Sequence, residues 1–237
     1  MSALTLKIIA CIAMLLDHIG YTLKITYSYR IIGRIAFPIY AFLLTEGYHH
    51  TKDFKRYLKR LFLFALVSEI PFNLFSKGKL IDISSSKNIF FTLSLSLLLL
   101  YWLDESKKIY EDKPRLILLS TILVSLFCLT AELINVDYGF YGILTVLCFR
   151  YMKHCRRKNL ATITGHTVVI FSYILLSQNN SWAFVQLYAL FALVPILLYN
   201  GKKGHNPTNR TMNKIIQYAF YAYYPLHMLI IYLFTSL

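Results

Sequence analysis

The stretch Ile12-Ala-Met-Leu-Leu-Asp-His-Ile-Gly20 places an acid and a histidine inside an apolar run that extends from Leu4 to about Lys24. A run of that length is sufficient for a helix to cross the hydrocarbon core of a membrane. An ionisable pair at such a depth costs several kcal/mol to insert, so it is normally retained because it has a function. Asp17 and His18 therefore predict a membrane enzyme with a proton-handling centre inside the bilayer.

The composition of the whole chain is also typical of a membrane protein. Apolar residues make up 57% of the 237 residues and charged residues only 15%, whereas about a quarter of a soluble domain is charged. The net charge of +14 therefore indicates basic loops beside an anionic membrane surface rather than nucleic-acid binding. The four cysteines lack the spacing of a metal site, and we expect no metal.

The apolar runs predict an all-α fold, a helical bundle with about nine transmembrane helices that forms one domain over residues 1–237. The first run lacks the basic start and small-residue cleavage site of a secretory signal, so we expect it to be the first helix. The sixth predicted helix is short for a full span. The predicted ranges are 4–24, 31–48, 57–76, 88–104, 115–134, 138–152, 161–178, 183–200 and 215–236.

The basic residues predict the orientation of this bundle. If the N-terminus is cytoplasmic, most lysines and arginines fall in the loops that face the cytoplasm, as the positive-inside rule requires. The C-terminus is then extracytoplasmic. This orientation also brings a set of polar residues from different helices to the outer half of the bilayer, where none can face lipid cheaply. We therefore expect one shared polar cavity formed by Asp17, His18, Arg30, Arg34, Glu69, Asn73, Asn88, Asp137 and His227.

Within this set, His18 is the candidate general base. It lies about 100° around the helix from Asp17, so the two side chains should not bond each other well. Its orienting carboxylate should come from another helix, and Glu69 and Asp137 are the candidates. Asp17 and His18 are alternatively a structural pair that fixes helix packing. His227 is open to the same two interpretations.

Two arginines near the start of the second predicted helix have competing roles. Arg34 fits a residue that binds a carboxylate or stabilises a developing oxyanion. Arg30 alternatively extends its side chain to the outer lipid headgroups. The same explanation fits Arg34 less well. Glu69 alternatively neutralises Arg34. Asn73 shares a helix face with Glu69, four residues earlier.

The densest basic segment is the loop that follows His49 and His50. Its cations suit either anionic lipid or the phosphates of a soluble donor. The chain contains no P-loop, GxGxxG, HExxH or GxSxG motif, which argues against nucleotide hydrolases, zinc proteases and serine hydrolases. The candidate phosphate ligands are Lys52, Arg56, Lys59 and Arg60.

Several motifs in this order resemble the TraX family. The likeness is strongest over residues 6–75, is patchy through the middle and returns at 137–142 and 218–232. The motifs that carry it are Leu6-Lys-Ile-Ile-Ala, Met14-Leu-Leu-Asp-His-Ile-Gly20, Arg30-Ile-Ile-Gly-Arg-Ile-Ala-Phe-Pro-Ile-Tyr-Ala-Phe-Leu-Leu44, Tyr57-Leu-Lys-Arg-Leu61, Ser68-Glu-Ile-Pro-Phe-Asn73, Asp137-Tyr-Gly139 and Tyr224-Pro-Leu-His227.

This resemblance implies a bacterial inner-membrane protein, and the type member of the family is linked to N-terminal acetylation of conjugative pilin. The family is more distantly similar to membrane acyltransferases that take acetyl groups from cytoplasmic acetyl-CoA. A histidine on their first helix acts in catalysis, and the matching position here is His18. Basic residues on the cytoplasmic side of those enzymes help to hold the CoA phosphates. The resemblance to the family does not identify the acceptor of the acetyl group.

We therefore expect a multi-pass acetyltransferase of the bacterial cytoplasmic membrane with acetyl-CoA as co-substrate. The acceptor carries an amino group, or alternatively a hydroxyl, on a peptide, a protein N-terminus or an amino sugar. Membrane lipid is the other expected partner, nucleic acid is not, and a homodimer is left open. The alternative function is a proton-coupled small-molecule transporter that uses the same Asp, His and Glu cluster. The expected catalytic set is His18, Asp17, Arg34, Glu69, Asp137 and His227, and Arg30 and Asn73 join the loop cations as donor-binding candidates.

Overall fold

A computed structural model describes residues 1–23, 27–82, 86–153, 155–177, 181–204 and 209–236. The predicted helix ends at Lys24 and at residue 178 lie outside the described residues. All regular secondary structure within these ranges is helical, apart from one isolated β-bridge between Lys87 and Val136. The prediction of an all-α fold is therefore confirmed.

Each predicted range contains a helix in the structure. The elements are α1 (Ala3–Leu23), α2 (Tyr27–Gly33), α3 (Ala36–His50), α4 (Phe54–Lys77), α5 (Ile89–Ile109), α6 (Lys113–Leu133), α7 (Gly139–Met152), α8 (Lys158–Leu176), a 3₁₀ helix (Ser181–Ala192), α9 (Leu193–Leu197) and α10 (Arg210–Ser236).

Four of the described helices, α1, α5, α6 and α8, are long and apolar enough to span a membrane. Helix α7 and the segment Ala183–Leu197 are apolar but shorter. On α6 only Ala131 is buried, while Ile117 and Leu118 are 65% and 63% exposed. A continuous apolar surface of this kind suits contact with lipid. These helices fit a membrane protein, and the count of nine spans stays a prediction.

Two predicted helices differ in detail from the structure. The range 31–48 is divided, because α2 ends at Gly33 and α3 begins at Ala36. Pro38 has no N–H and is best accommodated in the first turn of a helix, which favours a new helix start just before it. The range 183–200 is mostly 3₁₀ helix followed by the short α9. Pro195 removes a backbone donor there, so α-helical bonding cannot run unbroken through this segment.

The long helices alternate in direction, so residues far apart in sequence meet at two ends of the bundle. At one end, Arg150 of α7 binds Asp104 of α5 at 2.7 Å. At the other end, Lys87 pairs with Glu69 of α4 at 3.2 Å, and its carbonyl accepts the Asp137 N–H at 2.8 Å. We call these the Lys7 end, which carries Lys7, His50 and Arg60, and the His18 end, which carries His18, Asp137 and His227.

Candidate active site

A cavity of about 350 Å³ lies between α1, α3, α4, α5 and α10. It reaches from Lys7 to His18 on α1, which is about 16 Å at 1.5 Å per helical residue. Aromatic side chains form much of its wall. They are Phe37, Tyr40, Tyr57, Phe72, Phe90, Tyr138, Phe220, Tyr221 and Tyr224.

Asp17 binds two arginines, Arg30 on α2 and Arg34 directly after the end of α2. Nη2 of Arg34 lies 3.0 and 2.9 Å from the two carboxylate oxygens of Asp17. Nη1 of Arg30 lies 3.0 Å from Oδ2 of the same carboxylate. All three side chains are largely buried. Asp17 therefore neutralises one of two arginines, and the three residues keep one excess positive charge.

Gly33 allows this cluster to form. It lines the cavity against Asp17, and a Cβ atom at position 33 would overlap the Asp17 side chain. Glycine is thus required by the close approach of α2 to α1, rather than by an unusual backbone angle. The arginines that flank Gly33 can then reach back to the carboxylate.

His18 is paired with another histidine rather than with a carboxylate. Its Nδ1 lies 2.7 Å from Nε2 of His227 on α10. The ring centroids are 4.9 Å apart with an interplanar angle of 10°, so the two rings lie almost in one plane with the hydrogen bond between them. Phe75 packs against the His18 ring at a centroid distance of 4.8 Å. The orienting group of His18 is thus His227, and neither Glu69 nor Asp137 takes that place.

The backbone of α10 fixes the tautomers of both rings. Nδ1 of His227 lies 2.7 Å from the carbonyl oxygen of Tyr223, which can only accept, so this nitrogen carries a proton. In a neutral His227 ring, Nε2 is then an acceptor, and the Nδ1–H of His18 donates to it. This assignment follows from the hydrogen-bond network. It leaves Nε2 of a neutral His18 as a free proton acceptor in a side chain that lines the cavity.

Asp137 lines the same cavity on a rigid segment between α6 and α7. Its N–H donates to the Lys87 carbonyl at 2.8 Å, and its carbonyl accepts from the Thr92 hydroxyl. Asn135 and Tyr138 on either side have positive φ values of 52° and 65°. Such angles are uncommon for residues other than glycine, so the surrounding bonds hold this turn in place. No cation among the described residues forms an ion pair with Asp137.

Glu69 belongs to a separate cluster outside the cavity wall. Its carboxylate pairs with Lys87 at 3.2 Å and accepts a hydrogen bond from Nδ2 of Asn88 at 2.7 Å. Asn88 also donates to the Ala65 carbonyl, at 2.8 Å, and so joins α4 to the start of α5. Glu69 therefore neutralises Lys87 and not Arg34. Asn73, which we expected at the donor site, is 1% exposed and does not line the cavity.

Two cations line the cavity at the Lys7 end. Lys7 lies over the Phe220 ring at 5.2 Å, and Arg60 lies over Tyr57 and Tyr221 at 5.5 and 5.7 Å. Neither forms an ion pair with a carboxylate of the described residues, and Nε of Arg60 is buried without a hydrogen-bond partner. A second depression, of about 290 Å³, is lined by Lys7, Lys203 and Gln217. This end of the cavity is therefore suited to an anion.

Of the four loop cations expected to bind phosphate, only Arg60 lines the cavity. Lys52 and Lys59 are exposed. Arg56 pairs with Asp53 at 3.2 Å, and its side chain is 77% exposed. The sequence reasoning missed Lys7, although the signal was available, because Met14 and His18 lie on the same face of α1 as Lys7 at about 100° per residue.

The fold and the site together define a class of protein, a helical protein that fits a membrane. Its interior cavity joins cations without a carboxylate partner among the described residues to a histidine that is bonded to a second histidine. The sequence profile described as TraX protein matches residues 2–235, so the chain belongs to the TraX family and the resemblance is confirmed. The chain is similar to the probable fimbrial assembly protein FimC of serogroup H1 from Dichelobacter nodosus. The two are 27% identical over 246 residues, which cover 96% of this chain and 93% of the relative. No solved structure gives a significant match.

Proposed function

We propose that this protein transfers an acetyl group from acetyl-CoA at the Lys7 end to an amino group, or alternatively a hydroxyl, at the His18 end. The observation that carries the proposal is the chain of bonds from the Tyr223 carbonyl through His227 to His18. It leaves Nε2 of His18 as an oriented proton acceptor inside the cavity. An oriented general base of this kind contributes about 10²–10⁴-fold to a proton-transfer step.

The cavity fits the donor at both of its ends. Lys7 and Arg60 are cations without a carboxylate partner in the described residues, and Lys203 lies beside Lys7 at the adjoining depression. Phosphates form charge-assisted hydrogen bonds with such groups. The aromatic wall between Lys7 and His18 suits the slender, mostly uncharged arm of CoA. The thioester would then lie beside His18.

In this proposal the reaction is a direct transfer. The acceptor nitrogen attacks the thioester carbonyl carbon, and its proton passes to Nε2 of His18. The carbon–sulfur bond breaks, and the leaving thiolate takes that proton from the imidazolium. The positive charge on His18 is shared through its Nδ1–H with His227. The excess positive charge of Arg30 and Arg34 around Asp17 stabilises the developing oxyanion.

The family and the similar protein suggest where this chemistry is used. The Dichelobacter relative is described as a probable fimbrial assembly protein, which supports a role in pilus formation. We take the amino terminus of a pilus subunit as the first acceptor to test. Many basic residues lie at the Lys7 end, which supports a cytoplasmic position for it in a bacterial inner membrane. Acetyl-CoA then enters from the cytoplasm, and the acceptor comes from the opposite side.

The test is release of free thiol from acetyl-CoA by the purified protein in nanodiscs. We expect slow release by the wild type and loss of release in His18→Ala. Thr22→Ala is the matched control on α1, because it removes only a hydroxyl that donates to the His18 carbonyl at 2.9 Å. Full activity in a folded His18→Ala protein would contradict the proposal. A proton-coupled transporter, the alternative, would neither cleave acetyl-CoA nor be stabilised by it.

A further inference from the structure

The carboxylate that remains available in the cavity is Asp137. Asp17 is bound by two arginines, and Glu69 is bound by Lys87 and Asn88. Asp137 lines the cavity wall and has no cation within ion-pair distance among the described residues. Arg34 acts on Asp137 electrostatically but pairs with Asp17 and not with Asp137. The Asp137 carboxylate therefore has no direct cationic partner among the described residues, and the ammonium group of a ligand can take that place.

The surroundings of Asp137 are those of an ammonium site. Tyr138, Phe37 and Tyr224 line the same part of the cavity, and the rings of Phe37 and Tyr138 stack at a centroid distance of 4.1 Å. Aromatic faces attract organic cations, and cages of such faces bind alkylammonium groups. A carboxylate combined with these faces recognises an amine by charge and by its apolar substituent. A hydroxyl offers no charge to either.

The backbone around Asp137 holds this carboxylate in a fixed place. The Lys87 carbonyl and the Thr92 hydroxyl bind its N–H and its carbonyl, and the left-handed residues Asn135 and Tyr138 flank it. Strained residues that are held by their surroundings concentrate at ligand sites. A carboxylate that is positioned before the ligand arrives loses little entropy on binding.

We propose that Asp137 binds the protonated amino group of the acceptor and thereby selects amines over alcohols as acceptors. The identity of this ammonium as an acceptor rests on the proposed acetyl transfer, whereas its binding does not. Asp17, Asp137, Arg30 and Arg34 together carry no net formal charge, so a bound ammonium is the excess charge at this end of the cavity.

The acceptor nitrogen loses two protons during the full step. The ammonium gives one proton to the Asp137 carboxylate and becomes a nucleophilic amine. After attack on the thioester, the second proton passes through His18 to the leaving thiolate. Asp137 then returns its proton to water, so one proton is released for each acetyl group transferred. Once Asp137 is neutral, the two arginines and Asp17 again carry one excess positive charge, which stabilises the oxyanion.

The experiment measures binding of two matched probes to the full chain in nanodiscs without acetyl-CoA. 2-Phenylethylamine is protonated at neutral pH, and 2-phenylethanol has the same shape with a hydroxyl in place of the amine. Titration calorimetry gives a dissociation constant for each. We expect the wild type to bind the amine at least about tenfold more tightly than the alcohol, as for a charge-assisted hydrogen bond. Equal affinities, or no binding of either probe, would overturn the inference even without a variant.

The variants locate this preference. Asp137→Asn keeps the size of the side chain and removes its charge, so the amine should lose its advantage. Asp137→Glu keeps the charge and should retain part of the preference for the amine. Asp112→Asn makes the same chemical change at an exposed pair with Arg115 and should bind both probes like the wild type. An unchanged preference in a folded Asp137→Asn protein would also overturn the inference.

Thiol release from acetyl-CoA by the same preparations separates the two proposals. If release is normal but the wild type shows no amine preference, only the role of Asp137 fails. If the amine preference holds but release is absent, only acetyl transfer fails.

Discussion

Nδ1 of His18 and Nε2 of His227 lie 2.7 Å apart, although 209 positions separate these residues in the sequence. The bond joins the first long helix of the bundle to the last. Because the carbonyl of Tyr223 fixes the proton on the far side of His227, the orientation of His18 is set by α10 and not by its own helix.

Substitution of His227 tests this arrangement. In His227→Phe, Nδ1 of His18 loses its acceptor, the ring is free to change tautomer, and we expect thiol release to fall by up to about 100-fold. His227→Gln retains a side-chain oxygen that can accept the same bond, so it should keep a larger share of the activity. Turnover number and thermal midpoint should be measured together. Equal losses in the two variants would indicate a packing role for His227.

The pairing of Asp17 with two arginines predicts a large effect on stability. Asp17→Asn leaves Arg30 and Arg34 without their carboxylate, and breaking a buried pair in this way costs about 3–5 kcal/mol. We expect a clearly lower thermal midpoint in detergent. Asp112→Asn is the matched control, because its exposed partner Arg115 should leave the midpoint almost unchanged. Similar midpoints for the two variants would contradict the structural role of the cluster.

The two cations of the Lys7 end predict the affinity for the donor. Lys7→Gln and Arg60→Gln each remove a group that can bind phosphate, so we expect the KM for acetyl-CoA to rise by about tenfold or more. The turnover number at saturating donor should change little. Lys52→Gln and Lys59→Gln remove exposed cations from the same region and should leave KM near its wild-type value. A larger rise in KM in Lys52→Gln and Lys59→Gln would indicate that the loop, and not the cavity, binds the donor.

The orientation can be checked by labelling single cysteines with a maleimide that does not cross membranes. Cys155 is exposed at the Lys7 end, whereas Leu80 is 64% exposed in the loop that follows α4 at the His18 end. With the other cysteines replaced by serine, Cys155 should react only in inside-out vesicles. A Leu80→Cys protein without Cys155 should react in intact spheroplasts. The reverse pattern would invert the predicted topology.

The overall fold followed from sequence because apolar runs and basic loops are local signals. The depth of each polar residue can be counted along its helix, which is why the sequence places Asp17, His18, Asp137 and His227 at one level. In the structure Asp17, His18 and Asp137 line the cavity, and His227 bonds His18 from outside the cavity wall. Counting along each helix does not show which of the polar side chains at one depth bond one another. Which side chains meet depends on helix rotation and packing. The sequence therefore offered Arg34 as a partner of Glu69, whereas the structure pairs Glu69 with Lys87.

Local exceptions account for the other differences. The break before α3 depends on Pro38, and the 3₁₀ segment has the same apolar composition as an α-helix, so hydropathy does not distinguish them. The sequence does not single out Lys7, because a lysine near a helix end usually extends to the membrane surface. Its position in the cavity wall became evident only when α4 and α10 were placed around it.

The bond between His18 and His227 also has a consequence for biosynthesis. The arginines that neutralise Asp17 follow it within 17 residues, so this cluster can form soon after the first helices leave the ribosome. His18 acquires its partner much later, because His227 belongs to α10, which is synthesised after the other described helices. A nascent or truncated chain without α10 should already be inserted with Asp17 paired to its two arginines, yet it should lack an oriented base. Acetyl-CoA would therefore meet a competent site only after synthesis of the whole bundle.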